Sequence, residues 1–254
     1  MPVKKKQTEQ VEEGLPIWMG TFADMMTLLF AFFVLLFSMA TIDPVKVSAM
    51  QDAMVETTES LSGEGSMAQK MMSVSEIKEN LESIIDSLDL GDDATISSDP
   101  RGVILEIDGD ICFPSLSSDL DLQFIDLLKE VTVKVMSHPY DKRTVIIEGH
   151  SDSDPIRPDQ KYHKNPAVKA IEVWRTNRHL SAARASEVVE FLVDSMNINA
   201  GRLVAAGYGE FWPYGASWND VKSGDVNANY IANANSTVTQ RNKNRRVKII
   251  FSKN

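Results

Sequence analysis

A single acidic residue, Asp24, interrupts an otherwise apolar run near the N-terminus. A carboxylate inside a membrane-spanning segment costs about 2.5–3.5 kcal/mol or more, and such residues commonly mark pathways for ions or protons. On a helix, five small or polar residues of this run share one face, within about 60° of arc. They are Gly20, Asp24, Thr27, Ala31 and Ser38. A narrow stripe of this kind is typical of a helix that packs closely against other helices.

Asp24 and Thr27 are the candidate ion-binding residues of this stripe. A proton needs only the carboxylate, whereas Na⁺ is a hard cation that takes oxygen ligands. Asp24, the Thr27 hydroxyl and main-chain carbonyls could together hold a partly dehydrated Na⁺. The alternative is that Asp24, about 10 Å from the expected helix start, extends to the cytoplasmic interface and binds no ion.

The apolar run predicts one transmembrane helix at residues 17–42. Such a helix would extend about 39 Å, which is enough to cross a hydrocarbon layer of ~30 Å with some tilt. Pro16 suits its start, and Pro44 ends it. One span cannot enclose an ion pathway, so conduction would require helices from partner chains.

Basic residues before this run set the expected orientation. Lys4, Lys5 and Lys6 precede the span, which places residues 1–16 in the cytoplasm and the remainder of the chain outside the membrane. A secretory signal peptide is the alternative, because the lysines and the small residues at 38–40 resemble one. The apolar run is longer than the usual 7–15 residues and contains an acid, which favours an uncleaved anchor.

The composition excludes several other classes of function. The chain has 254 residues and a formal charge of −10, which argues against bulk nucleic-acid binding. Cys112 is the sole cysteine and excludes both an intramolecular disulfide and a cysteine-based zinc site. His150, Ser151 and Asp152 are adjacent and therefore cannot form a catalytic relay. His150-x-Asp152-x-Asp154 lacks a second cluster of metal ligands, so the sequence predicts no enzyme, resident metal or cofactor.

Residues 43–99 connect the anchor to the rest of the chain. Within residues 43–65, an amphipathic helix is indicated by Val47, Met50, Met54 and Leu61. Residues 66–99 contain a second helical pattern, formed by Met67, Met71, Val74, Ile77, Leu81, Ile84 and Leu88. We expect this helical linker either to pair with a second copy or to pack on the following domain.

The pattern of apolar residues in 100–254 predicts an α+β domain. Its elements follow the order β-α-β-α-β-β, with the helices on one side of a mixed sheet. The expected strands cover residues 103–107, 144–148, 203–206 and 247–251, and the expected helices cover 120–136 and 180–196. Residues 210–244 are rich in Asn, Gly, Ser and Trp and are expected to form a surface excursion.

Four ordered blocks of this region resemble the OmpA-like peptidoglycan-binding domain. They are Gly149-His150-Ser151-Asp152-x-x-Pro155-Ile156, Asn177-x-x-Leu180-Ser181-x-x-Arg184-Ala185, Gly207-Tyr208-Gly209-Glu210-x-x-Pro213 and Asn244-Arg245-Arg246-Val247. The resemblance implies that Asp152 and Arg184 hold the diaminopimelate of the wall peptide, and that Asn177 and Leu180 shape the pocket. An acid and an arginine suit the ammonium and carboxylate of this ligand. Ser151 departs from the usual Thr.

Residues 14–26, GLPIWMGTFADMM, resemble the start of the MotB/PomB flagellar stator subunits, closer to the sodium-type PomB. A stator-like N-terminal segment followed by an OmpA-like region implies a stator B subunit. Such a subunit crosses the bacterial inner membrane once, with a cytoplasmic N-terminus and a periplasmic OmpA-like domain. They further imply transported Na⁺ or H⁺, a MotA/PomA-type partner, two B chains within a ring of five A chains, and peptidoglycan as the anchor.

The same resemblance implies that the stretch containing Val47, Met50 and Met54 is a plug that prevents ion leakage before assembly. Two alternative functions remain at this stage. One is a passive membrane-anchored envelope tether, and the other is an energy transducer of the ExbD/TolR kind, which typically lacks wall-binding motifs.

Overall fold

The computed structural model describes residues 16–39, 71–138, 141–156, 162–163, 171–172 and 174–253. These residues fall into two compact units that divide between residues 43 and 44. The expected plug, with Val47, Met50 and Met54, lies outside the described residues, as do residues 40–42 of the expected membrane span.

The first unit contains helix α1, Ile17–Met39. It begins directly after Pro16, whose carbonyl accepts a hydrogen bond from the Met19 amide at 2.8 Å. Its 23 residues extend about 34 Å and are apolar and long enough to cross a membrane between Trp18 and Leu36. The large apolar side chains described along α1 are exposed, which fits anchoring in a membrane.

The second unit is built on a five-stranded mixed sheet. Its strands are β1 (Ala94–Asp99), β2 (Gly102–Asp108), β3 (Val145–His150), β6 (Leu203–Gly209) and β7 (Arg246–Ser252), with spatial order β1-β2-β7-β3-β6. Only β3 and β6 are parallel among the paired strands of this sheet. A separate two-stranded pair is formed by β4 (Tyr162–His163) and β5 (Ile171–Glu172).

Three helices cover one face of the sheet and form the core with it. They are α2 (Val74–Ser87), α4 (Leu122–Val131) and α5 (Asn177–Asp194); a short α3 (Gly109–Cys112) follows β2, and a π-helical turn (Thr132–Met136) extends α4. Alternate strand residues such as Leu105, Ile147 and Ile249 face these helices and are buried with Phe124 and Val188. This confirms the expected α+β arrangement.

Of the two arrangements expected for the helical linker at residues 66–99, the structure has the one in which its helix packs on the following domain. Ile77, Leu81 and Ile84 of α2 are fully buried in the same core as the sheet. Strand β1 pairs antiparallel with β2 through a hairpin in which Asp99 faces Gly102. The domain therefore begins before residue 100, and the apolar face of α2 cannot also pair with a second copy.

The opposite face of the sheet carries buried charges. Arg101 bonds to Asp99 and Glu148, while Lys248 and Arg246 approach Glu106 at 3.2 and 3.4 Å. The indole of Trp212 covers this layer, with the Arg101 guanidinium 5.0 Å and the Lys248 ammonium 5.7 Å from its ring centre. Mutual pairing makes burial of these charges tolerable, since a lone buried charge costs several kcal/mol.

The excursion at residues 210–244 contains three short helices: α6 (Trp218–Ser223), α7 (Ala228–Ala234) and α8 (Val238–Asn244). Each begins at a residue whose side chain accepts a hydrogen bond from a main-chain amide of the first turn, namely Ser217, Asn227 and Thr237. Caps rather than apolar periodicity define these helices.

Candidate functional site

On α1, Asp24 and Thr27 lie one turn apart. The Thr27 hydroxyl donates to the main-chain carbonyl of Asp24 at 2.8 Å, which holds the hydroxyl oxygen beside this turn of the helix. Because the hydroxyl proton is used on the helix, the oxygen lone pairs remain the group that Thr27 can offer to a cation. Both side chains are exposed on the isolated helix, so a complete ligand set would include oxygens from outside α1.

In the second unit, a cavity of about 550 Å³ opens beside the end of β3. All four residues expected to bind or shape the wall peptide line it: Asp152, Asn177, Leu180 and Arg184. Asp152 follows β3, and the other three lie on the first two turns of α5. The opposite wall comes from α3 and the loop at residues 113–116.

Two glycines explain how α5 is held close enough to the sheet to form this cavity. A Cβ at Gly149 would lie 2.2 Å from the main-chain oxygen of Ser181, and one at Gly207 would lie 2.4 Å from the amide nitrogen of Ala182. Ser181 also accepts a hydrogen bond from the Gly209 amide at 2.9 Å. These contacts fix α5, and with it Arg184, against strands β3 and β6.

Asp152 is nearly buried, 8 % exposed, and is paired with an arginine that the sequence analysis did not single out. Its Oδ2 accepts from Nη1 of Arg245 at 2.9 Å. Arg245 also donates through Nη2 to Asp110 at 3.1 Å. Burial alone would lower the pKa of Arg245, but the hydrogen bonds to Asp110 and Asp152 outweigh it and raise that pKa. Arg245 is therefore a fixed positive charge in the cavity wall.

Arg184 is also 8 % exposed, but its hydrogen bonds go to neutral carbonyls. Nε donates to Ser117 at 2.8 Å and Nη2 to Pro114 at 3.2 Å, and the guanidinium lies 4.9 Å from the centre of the Phe113 ring. Burial lowers the pKa of Arg184 to about 10, so it remains charged at neutral pH. A guanidinium held by carbonyls keeps its charge for an anionic ligand.

Asn177 and Leu180 serve the shape of the cavity. The Asn177 side-chain amide donates to the carbonyls of Asp152 at 3.1 Å and Asp154 at 2.9 Å. It therefore ties the start of α5 to the loop that carries the acidic residues. Leu180 is buried and contributes an apolar wall.

Asp110, Asp154 and Arg245 line the same cavity but were not expected there. Arg245 belongs to the Asn244-Arg245-Arg246-Val247 block, and this block was the sequence signal that could have identified it. Its position follows from the register of the sheet, in which His150 of β3 faces Arg246 of β7. Asp110 lies within α3, a helix too short for any periodicity to predict. Groups of residues able to hold a metal ion are absent from the part of the chain that the structure describes.

Comparison with known proteins relates both ends of the chain to one kind of protein. Residues 3–57 match the MotB_plug family, described as membrane MotB of the proton-channel complex MotA/MotB, and residues 112–229 match the OmpA family. Motility protein B of Bacillus subtilis is 23% identical over 280 residues, which cover 98% of this chain and 94% of that protein. This chain is similar to Motility protein B along nearly its whole length. Neither family description names an enzymatic reaction.

Two further proteins are similar to this chain. The uncharacterized protein YtxE of Bacillus subtilis is 28% identical over 249 residues, covering 93% of this chain and 88% of the relative. The crystal structure of a MotB-like protein from Desulfovibrio vulgaris has a TM-score of 0.50 and 15% identity, covering 71% of this chain and 91% of the other. At this identity the likeness supports the fold alone.

Proposed function

We propose that this MotB-like chain is an ion-conducting stator subunit of the bacterial flagellar motor. It forms a channel with a MotA/PomA-type partner, and its OmpA-like domain anchors it to peptidoglycan. The observation that carries the proposal is Asp24, the sole ionisable residue of α1. A passive tether has no need of a carboxylate at this depth, where it costs about 2.5–3.5 kcal/mol or more.

In the proposed mechanism, a cation entering from outside neutralises Asp24, and its release to the cytoplasm restores the negative charge. Each elementary charge that crosses 100 mV makes about 2.3 kcal/mol available. The alternating charge biases two arrangements of the partner subunits and so converts ion flow into stepping. Two copies of this chain within five partner subunits form the complex, with the N-terminus in the cytoplasm and the OmpA-like domain outside the membrane.

Na⁺ is the proposed ion, with H⁺ as the alternative. The Thr27 oxygen beside Asp24 supports Na⁺, since a proton needs no second ligand. The description of the matching N-terminal family names a proton channel, which supports H⁺. No cofactor takes part in either version.

The cavity beside β3 supports the anchoring half of the proposal. Arg184 offers a guanidinium to a carboxylate of diaminopimelate, and Asp152 offers a carboxylate to its ammonium. When the ammonium reaches Asp152, Arg245 retains its bond to Asp110. The wall then holds the stator still, because without an anchor the reaction torque would turn the stator itself.

Replacing the chromosomal copy with Asp24→Asn tests the motor function. We expect swimming to be lost while the protein still sediments with purified peptidoglycan, because the variant cannot alternate its charge. Asp24→Glu is the matched control and should retain measurable swimming. Swimming in the Asp24→Asn strain would favour the passive tether. Rotation speed measured against external sodium at a fixed proton gradient then distinguishes Na⁺ from H⁺.

A further inference from the structure

The excursion at residues 210–244 has a composition that the peptide cavity does not explain. It contains seven asparagines and five aromatic residues, Phe211, Trp212, Tyr214, Trp218 and Tyr230. Its three acids, Glu210, Asp220 and Asp225, balance its three bases, Lys222, Arg241 and Lys243, although the whole chain carries −10. A neutral segment rich in amides and rings suits an uncharged polar ligand.

A second cavity of about 540 Å³ opens on this excursion. It is lined by Tyr214, Tyr230, Asn233, Ala234, Gln240 and Lys243. Tyr214 is 47 % exposed and Tyr230 is 36 % exposed, so both contribute ring surface to an open site. We refer to it as the tyrosine cavity, and to the cavity around Arg184 as the peptide cavity.

Buried hydrogen bonds hold the walls of the tyrosine cavity in place. Asn244 is 1 % exposed; its Oδ1 accepts from the Tyr214 amide at 2.6 Å and its Nδ2 donates to the Ala234 carbonyl at 2.9 Å. The Gln240 side chain is fixed at the start of α8, where it accepts from the Thr237 amide at 3.0 Å. A site prepared in this way loses little conformational entropy on binding.

The charges of the tyrosine cavity argue against an ionic ligand. Among the described residues no acid lines it, so a cationic ligand has no partner there. Lys243 is its single basic residue, and the Lys243 ammonium already lies 5.3 Å from the centre of the Tyr214 ring. The Arg246 guanidinium also lies 5.8 Å from the centre of that ring, so the groups that remain are the Tyr230 ring and two side-chain amides. A pyranose sugar has the complementary surface, with an apolar C–H face and a rim of hydroxyl or acetamido groups.

The peptide cavity and the tyrosine cavity are neighbours. One side of α8 carries Arg241, which approaches Asp154 of the peptide cavity at 3.5 Å. Just before α8, Asn235 accepts a hydrogen bond from the Ser153 amide at 3.1 Å. On its other side, α8 contributes Gln240 and Lys243 to the tyrosine cavity. A polymer that carries peptides on a sugar chain could therefore occupy both cavities.

We propose that the tyrosine cavity binds N-acetylated hexosamine units of the wall's glycan strand. This inference rests on the proposed function, in which the neighbouring cavity takes the stem peptide of the same polymer. Tyr230 stacks on the sugar face, Tyr214 forms the wall beside it, and Asn233 and Gln240 bond to its polar rim. The two cavities together fix the direction of the glycan strand across the domain.

Two probes measured on the detergent-solubilised full chain test this proposal. Binding of tetra-N-acetylchitotetraose measures the tyrosine cavity. Binding of the tripeptide L-alanyl-γ-D-glutamyl-meso-diaminopimelate measures the peptide cavity. We expect Tyr230→Ala to weaken the binding of chitotetraose at least about tenfold and to leave the binding of the tripeptide unchanged. Trp218→Ala is the matched control, because Trp218 is also 36 % exposed on the excursion but does not line the cavity.

Arg184→Ala should give the opposite pattern, with the tripeptide lost and chitotetraose retained. If Tyr230→Ala also loses the tripeptide, the fold has changed, and Tyr230→Leu, which keeps an apolar side chain without the ring, decides instead. The proposal is overturned if chitotetraose does not bind the wild-type chain saturably, or if Trp218→Ala weakens it as much as the tyrosine variants do. Binding of chitotetraose without any binding of the tripeptide would support the sugar site and contradict the peptide site.

Discussion

At the level of single residues, His150 is buried in a setting that disfavours its charge. It is 1 % exposed, and its ring stacks on Tyr208 with centres 5.5 Å apart. Burial, followed by the positive charges of Arg246 and Lys248, lowers the pKa of His150 well below its usual value. Glu148, 3.5 Å away, does not reverse this effect. His150 is therefore neutral in the folded domain at neutral pH.

This burial predicts a loss of stability in mild acid. The unfolded chain takes up a proton at His150 near pH 6.5, whereas the folded domain does not. The free energy of unfolding should therefore fall as the pH decreases below about 6.5, by up to about 1.4 kcal/mol per pH unit from this group. Urea unfolding at pH 7.5, 6.5 and 5.5, monitored by tryptophan fluorescence, measures the free energy of unfolding at each pH.

His150→Gln should reduce this pH dependence relative to the wild-type chain. His179→Gln, which removes an exposed histidine of α5, is the control and should leave it unchanged. Equal slopes for the wild-type chain and His150→Gln would contradict the assignment of a neutral, buried imidazole.

At the level of elements, α2 is part of the domain rather than a spacer. Its start is fixed by a capping box in which Ser73 accepts from the Glu76 amide at 3.2 Å, and Glu76 accepts from the Ser73 amide at 2.6 Å. From that point, residues at helical spacing enter the core. Its position there indicates that α2 contributes directly to the stability of the second unit.

Leu81→Ala tests this role. Because Leu81 is fully buried, we expect the variant to lose about 2–5 kcal/mol of unfolding free energy. Ser83→Ala on the exposed side of the same helix should change it by less than about 0.5 kcal/mol. Equal stability of both variants in urea unfolding would show that α2 does not belong to the cooperative core.

The predictability of each element follows from what defines it. Strands β2, β3 and β7 were predicted because their apolar residues alternate or form a buried run. Strand β1 was missed because it lies at the sheet edge and is largely polar, although Asp99-Pro100-Arg101-Gly102 is a recognisable turn signal. The short helices of the excursion depend on caps and carry no apolar period.

The candidate site also contains residues that the sequence predicted and a contact that it did not. Asp152, Asn177, Leu180 and Arg184 were predicted from the resemblance of two sequence blocks to the OmpA-like domain, and they line one cavity. The pair between Asp152 and Arg245 joins residues far apart in sequence, and it depends on the register of β3 against β7. Such a contact cannot be deduced from local spacing alone.

At the level of the whole molecule, the proposed stator requires that the channel stay closed until assembly. Residues 3–57 match a family named for its plug, and they include the expected plug residues Val47, Met50 and Met54. Deletion of residues 44–58 should therefore make cells that overproduce this chain and its partner leak cations and grow slowly.

Growth rate and intracellular sodium after induction measure this effect. The same deletion combined with Asp24→Asn is the control and should restore normal growth, because the leak would pass through the Asp24 pathway. Normal growth of the single deletion would contradict a plug in this segment.

The ion pair between Asp152 and Arg245 has a consequence for the lifetime of the wall contact. When an incoming ammonium replaces Arg245 at Asp152, the arginine keeps Asp110, so neither Asp152 nor Arg245 is left without an oppositely charged partner before or after the exchange. Departure of the ammonium is equally free of that penalty at these two residues. Under the proposed function, individual stators could detach from the sacculus and be replaced while the motor continues to turn.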